Sequence, residues 1–262
     1  MGLTVLAAVH AALALRTGGL TYEIPVVIAW LGVLLVQGER RQSLRATSAE
    51  QVCGTACIAF GMGVAALFSA KYRAPLRLTA LGAGFGYLLA RHGLRGAARS
   101  GRELCLLLLP VLVPPPSALQ AALEPQFLSV RFTAVILDVL GHPATIAGDV
   151  ISIPGGAARV LAACCGLNSM SQLGALGILV ACLFEMSAPR KLAVVVASVV
   201  AGFAANCGRL ALLVILSQRD VETFELWHGT TGELRFTCLG LAVASLAFWL
   251  VVREPARETA AA

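Results

Sequence analysis

Apolar positions in this chain fall in long runs separated by short polar connections. The runs cover approximately 2 to 15, 20 to 37, 52 to 70, 74 to 90, 103 to 121, 166 to 186, 192 to 217 and 234 to 252. A hydrocarbon layer about 30 Å thick takes about 20 helical residues to cross, because unpaired backbone groups cannot be left in lipid. Seven runs meet that need and the first is short, so the pattern predicts an all-α membrane protein of about eight transmembrane helices. One connection, 122 to 163, is far longer than the others, and loops of that length are usually functional or disordered. Its first part sets Phe127, Val130, Ala134, Leu137 and Val139 around Arg131 and Asp138, which predicts an amphipathic helix on the outer leaflet. Gly141-His142-Pro143 ends that helix. Ile146, Val150, Ile151 and Ile153, arranged about Gly148-Asp149, predict a short β-hairpin before the sixth span.

Composition agrees with this pattern. Of 262 residues, 58% are hydrophobic and 13% charged, with mean hydropathy +0.83, against roughly 25% charged residues in a soluble domain. A net charge of +6 would suit nucleic acid if it were gathered in a patch. The cations instead lie in short clusters between apolar runs, and aromatic residues make up only 6%, too few for a base-stacking platform. Nucleic-acid binding is excluded on those grounds. The loop charges also set orientation. With both termini cytoplasmic, the inner loops hold Arg40, Arg41, Arg45, Arg91, Arg95, Arg99, Arg102, Arg190, Lys191, Arg253 and Arg257. The outer side holds Arg16, Lys71, Arg73, Arg77, Arg131, Arg159, Arg219 and Arg235. Residues 1 to 15 lack a basic start and a cleavage site, so they read as a retained span.

The eight cysteines sit mostly inside apolar stretches, at spacings unlike those of a disulfide scaffold, and behave as small apolar side chains. Cys53 and Cys57 share a helix face, but no His or second Cys pair completes a metal site. No metal or organic cofactor is expected.

Chemistry gathers in the C-terminal half. Cys164 and Cys165 stand at the outer mouth of the sixth span. Asn206 and Arg209, three apart on one helical face, lie in the seventh span, and Arg209 is ~25 Å above its cytoplasmic start at about 1.5 Å per residue. His228 is in the outer loop before the last span. A thiol, a guanidinium and an imidazole thus share one depth. A neighbouring cation lowers a thiol pKa, imidazole can move the proton, and Arg can stabilise an oxyanion or hold a substrate backbone, a set that suffices for acyl transfer through a thioester. Taken singly, each residue has a plainer role: Arg209 snorkelling to headgroups, His228 as an ordinary loop histidine, Cys164 in packing, Asn206 bonding across helices. Their common depth favours the shared chemistry.

These residues resemble the exosortase/archaeosortase family of membrane cysteine transpeptidases, whose marks are Ala-Cys-Ser-Gly-Leu, then Asn-x-x-Arg, then an outer His. Ala163 to Leu167 match except for Cys165 in the Ser place, Asn206 to Arg209 match fully, and His228 follows. Pro114-Pro115-Pro116, the Gly141 turn, Gly148 and Ile151-Ser152-Ile153-Pro154-Gly155 also look like the family's approach to its nucleophile, so the resemblance covers about 104 to 250. Asn168 stands where the family usually has Arg.

The resemblance implies Cys164 as nucleophile, Arg209 as stabiliser or substrate clamp, His228 as acid/base, and Asn206 and Cys165 as supporting residues. The apolar runs place four N-terminal transmembrane helices in 1–102, which carry no family signature, and the resemblance makes 103–262 the catalytic core that carries the extracytoplasmic loop 122–163. The expected partners are exported proteins with a C-terminal sorting signal, namely a short motif, an apolar helix and a basic tail. The cut end would pass to a lipid or glycan anchor. The expected place is the cytoplasmic (inner) membrane, with the active site on its outer face. A transporter lined by Asn206 and Arg209, or a thiol oxidoreductase using Cys164-Cys165, are the alternatives from other classes. The first requires two related halves, which the sequence lacks, and the second requires a further outer cysteine.

Overall fold

Helix dominates, as long apolar runs without spare hydrogen-bond partners require. The computed structural model describes residues 2–17, 20–39, 46–68, 73–113, 124–161, 164–218 and 221–253. In chain order come α1 (Leu3–Thr17), α2 (Leu20–Glu39), α3 (Ser48–Phe68), α4 (Arg73–Ala98), α5 (Gly101–Leu112) and α6 (Pro125–Val139). Then follow β1 (Thr145–Ala147), β2 (Val150–Ile153) and β3 (Gly156–Arg159). The remainder is α7 (Leu167–Leu183), α8 (Ala188–Leu216), α9 (Val221–His228) and α10 (Thr230–Arg253). Each of the eight apolar runs overlaps one of these helices. Among the described residues, three helical stretches are long and apolar enough to cross a membrane: Ser48–Leu67, Ala188–Leu216 and Thr231–Arg253. Leu3–Leu13, Pro25–Gln37 and Leu167–Leu183 are shorter apolar helices. Pro114 to Pro116, the end of the fifth run, Ala163, and the loop charges Arg40, Arg41, Arg45, Lys71, Arg219 and Arg257 lie outside the described residues.

The chain forms two units, Met1–Pro114 with Ile178–Glu185, and Pro115–Gly177 with Met186–Ala262. In the first, α3 opens with a capping box. The Thr47 N–H donates to Glu50 Oε2 at 2.8 Å, and the Glu50 N–H donates to Thr47 Oγ1 at 3.3 Å. Helices α3 and α4 touch backbone to backbone: a Cβ on Gly54 would lie 2.6 Å from the Ala90 nitrogen, so only glycine permits this approach. Two hydrogen bonds join polar side chains in its interior. Trp30 Nε1 donates to His10 Nδ1 at 2.7 Å, and Gln37 Nε2 to Glu103 Oε1 at 2.8 Å.

The second unit holds the long connection. Helix α6 buries Ser129, Val130, Thr133, Ala134 and Leu137, a stripe at helical spacing, and exposes Phe127, Leu128, Phe132, Val135 and Val139. Of the five apolar residues expected to define its face, Val130, Ala134 and Leu137 are buried, whereas Phe127 and Val139 are not. The helix ends as its sequence predicts. Gly141 takes φ +83°, its N–H donates to Asp138 O at 3.0 Å, and the His142 N–H donates to Leu137 O at 2.9 Å, a Schellman closure. The expected hairpin is present about Gly148-Asp149, with Ala147 opposite Val150. It is one half of a three-stranded antiparallel sheet ordered β1-β2-β3, so the expected two strands are corrected to three. The third strand reads Gly-Ala-Ala-Arg, with neither branched side chains nor apolar alternation to reveal it. Val130, Leu137, Ile151, Ile153, Val160, Leu210, Ala211 and Val214 form the core joining α6, the sheet and α8.

Candidate active site

The turn entering α7 carries the two adjacent cysteines, and two neighbours fix its backbone. Asn206, 4% exposed in α8, donates from Nδ2 to the Cys164 carbonyl at 3.1 Å. Ser129, fully buried in α6, donates from Oγ to the Cys165 carbonyl at 2.8 Å. Gly166 follows at φ +79°, and a Cβ there would meet Asn206 Cγ at 2.6 Å. Left-handed backbone and close approach both call for glycine at this point. Gly166→Ala is therefore expected to cost about 1–2 kcal/mol of backbone strain and to push Asn206 off the turn. Thermal unfolding, together with the rate of Cys164 alkylation, checks this, and an unchanged alkylation rate would show that the turn does not depend on glycine.

The two cysteines differ in environment. Cys164 is partly exposed and packs against the unit's core. It also lines a cavity of about 370 Å³ whose wall includes Ala157, Ala158 and Arg159 of β3, Leu210, Leu213 and Ser217 at the end of α8, and Phe224 and His228 of α9. Cys165 points inward and is 2% exposed. Burial pushes the Cys165 thiol up from its usual pKa. Hydrogen bonds from the Leu167 N–H and from its own N–H oppose that rise, and charge on Cys164 would add to it. The Leu167 bond makes Cys165 a weak cap on the first turn of α7. None of the eight cysteines forms a disulfide.

His228 is the last residue of the short helix α9, where the sequence reading placed it in a loop; Glu222 and Trp227 belong to the same helix. Its ring stacks on Phe224, with centroids 5.5 Å apart and planes 15° apart, and Glu225 Oε2 lies 4.0 Å from its Nδ1. Arg209 reaches this segment from α8. Its Nη2 donates to the His228 carbonyl and its Nε to the Trp227 carbonyl at 3.4 Å. The backbone of the histidine is thus tied to the helix that also supplies Asn206. Arg235 lies over the Trp227 ring at 4.7 Å, and Trp227 meets Phe236 edge-on at 6.2 Å. Asn168 donates to Glu233 Oε1 at 3.3 Å. Beyond the turn, a Cβ on Gly232 would run into the Trp227 carbonyl, so α9 and α10 meet at a bend that only glycine fits.

Cys164 and His228 therefore share one cavity, Asn206 holds the Cys164 backbone, and Arg209 holds the His228 backbone. Cys165 does not line that cavity. Asn206 and Arg209 share a helical face but reach different segments, one the cysteine turn and the other the end of α9. Ser129, Phe224, Glu225 and the β3 wall were not anticipated. For Ser129 a signal was present, because Ser129 and Thr133 form an i, i+4 polar pair on an otherwise apolar stripe, and a buried polar pair of that kind needs partners.

The chain is mostly helical, has helices long and apolar enough to cross a membrane, and carries a thiol and an imidazole on one cavity, features that define an integral membrane protein. Residues 18–245 match the family model for transmembrane exosortase (Exosortase_EpsH), which spans most of the chain, and the protein belongs to that family. Comparison with curated proteins and with solved structures gave no match.

Proposed function

We propose that this protein is a membrane-embedded cysteine endopeptidase and transpeptidase that cuts the C-terminal sorting segment of exported proteins. The observation that carries the reading is the single cavity lined by Cys164 and His228, with Arg209 bonded to the histidine's own carbonyl. His228 takes the Cys164 proton, and the sulfur attacks the scissile carbonyl carbon. The tetrahedral oxyanion collapses to a thioester as the C–N bond breaks, and the leaving amine carries off the proton held on His228. An amine, a hydroxyl or water then attacks the thioester, giving its proton to His228 and restoring the thiol. The guanidinium of Arg209 spends two of its five donors on backbone carbonyls. Through those two bonds it positions the imidazole. Asn206 supports the Cys164 turn, and Cys165 supports α7 rather than attacking.

The helices of the eight apolar runs are read as eight spans, with 103–262 as the catalytic core and the loop 122–163 outside the cytoplasmic membrane. The substrate is an exported protein whose tail has a short motif, an apolar helix and a basic end, and the acceptor is a lipid or glycan. Mass spectrometry on the C-terminus of such a protein, exported with and without this enzyme, tests the reading. The expected result is a truncated terminus, bearing an adduct where transfer occurs. An intact tail in both cells rejects it.

A further inference from the structure

The last strand of the small sheet lines the same cavity as Cys164. Ile153 and Gly156 are direct partners across the two-residue turn Pro154-Gly155, so this pair exchanges hydrogen bonds, and in an antiparallel ladder every second pair does the same. The order therefore runs Gly156, Ala158, Val160 toward β2, and the Val160 N–H indeed donates to Asp149 O at 2.8 Å. Ala157 and Arg159 must then turn their N–H and C=O groups the other way, off the outer edge of β3, the last strand in the order β1-β2-β3. Among the described residues nothing hydrogen-bonds those four groups. A second observation gives the edge a use. Ala157, Ala158 and Arg159 all line the cavity that holds Cys164 and His228, whereas no residue of β1 or β2 does. The cavity therefore lies on the unpaired side of β3. Ala157 is exposed and Ala158 half-buried, and the end of α8 closes on the strand at Gly156, where a Cβ would lie 2.6 Å from Ser217 Oγ.

Unpaired N–H and C=O groups on a sheet edge are a template for one more strand. We propose that the peptide cut by Cys164 binds as a fourth strand on β3, hydrogen-bonded to the main chain of Ala157 and Arg159, which presents its scissile carbonyl to the thiol. This rests on the endopeptidase reading above and adds how the substrate is held. Recognition then falls on the substrate main chain at alternate residues. Proline is refused where an N–H must donate and accepted at the residues between.

The test uses the full-length enzyme in membranes and an exported protein whose cut has been mapped by mass spectrometry. Ala157→Pro deletes an outward donor and leaves the β2 ladder intact, and Ala157→Ser keeps the donor. Processing is expected to fall about tenfold in the first and by less in the second, with Cys164 still alkylated in both. A proline scan of the residues flanking the cut, with wild-type enzyme, is expected to abolish processing with a two-residue period, and it decides the matter if Ala157→Pro does not fold. Wild-type processing by a folded Ala157→Pro, or a scan without that period, overturns the strand proposal and leaves the endopeptidase reading standing. No cut at all by the wild type defeats the endopeptidase reading instead.

Discussion

Replacing Cys164 by Ala is expected to abolish tail processing, a loss of at least about 10⁴-fold, whereas Cys165→Ala is expected to retain most of it. The two thiols are adjacent in sequence, so the contrast comes from their surroundings. Cys164 lines the cavity shared with His228, whereas Cys165 is 2% exposed and its thiol is pushed up by burial. A raised pKa means that Cys165 keeps its proton near neutral pH, and only thiolate attacks. Iodoacetamide is accordingly expected to modify Cys164 first, with Cys165 labelled only as pH rises into the range where its thiol ionises. Peptide mapping after labelling at stepped pH reads this directly. Processing by Cys164→Ala with loss in Cys165→Ala would reverse the assignment of the nucleophile.

The second large effect is expected at Arg209. Lysine keeps the charge but has a single ammonium in place of a planar fork, and so cannot grip two successive carbonyls. Arg209→Lys should lose the hold on Trp227 and His228 and lower processing by about 10²-fold, while Cys164 alkylation continues, since Asn206 rather than Arg209 holds that turn. Wild-type turnover by Arg209→Lys would show that the charge suffices and that the grip on the carbonyls is incidental.

Much of this arrangement was legible in the sequence, for identifiable reasons. Long apolar runs announce helices, and Gly141 announces the end of α6, because backbone hydrogen bonding in lipid and a left-handed cap each demand one kind of residue. The depth argument that drew Cys164, Arg209 and His228 together used only helix rise. The side chains that act over long sequence distances were not legible. Ser129 reaches Cys165 across 36 positions, and no local pattern records such a bond. Nor could helix counting show that Arg209 would point at carbonyls instead of into the cavity, since direction around a helix is settled by the packing of α9 beside it. Strand β3 escaped notice because its neighbours, rather than its own propensities, make it a strand.

The turn bearing Cys164 is braced by Ser129, made before it, and by Asn206, made after it. During synthesis the sulfur emerges more than 40 residues ahead of its second brace, and Arg209 and the imidazole come later still. A nascent chain thus carries a thiol without a partner until its last third has been threaded into place.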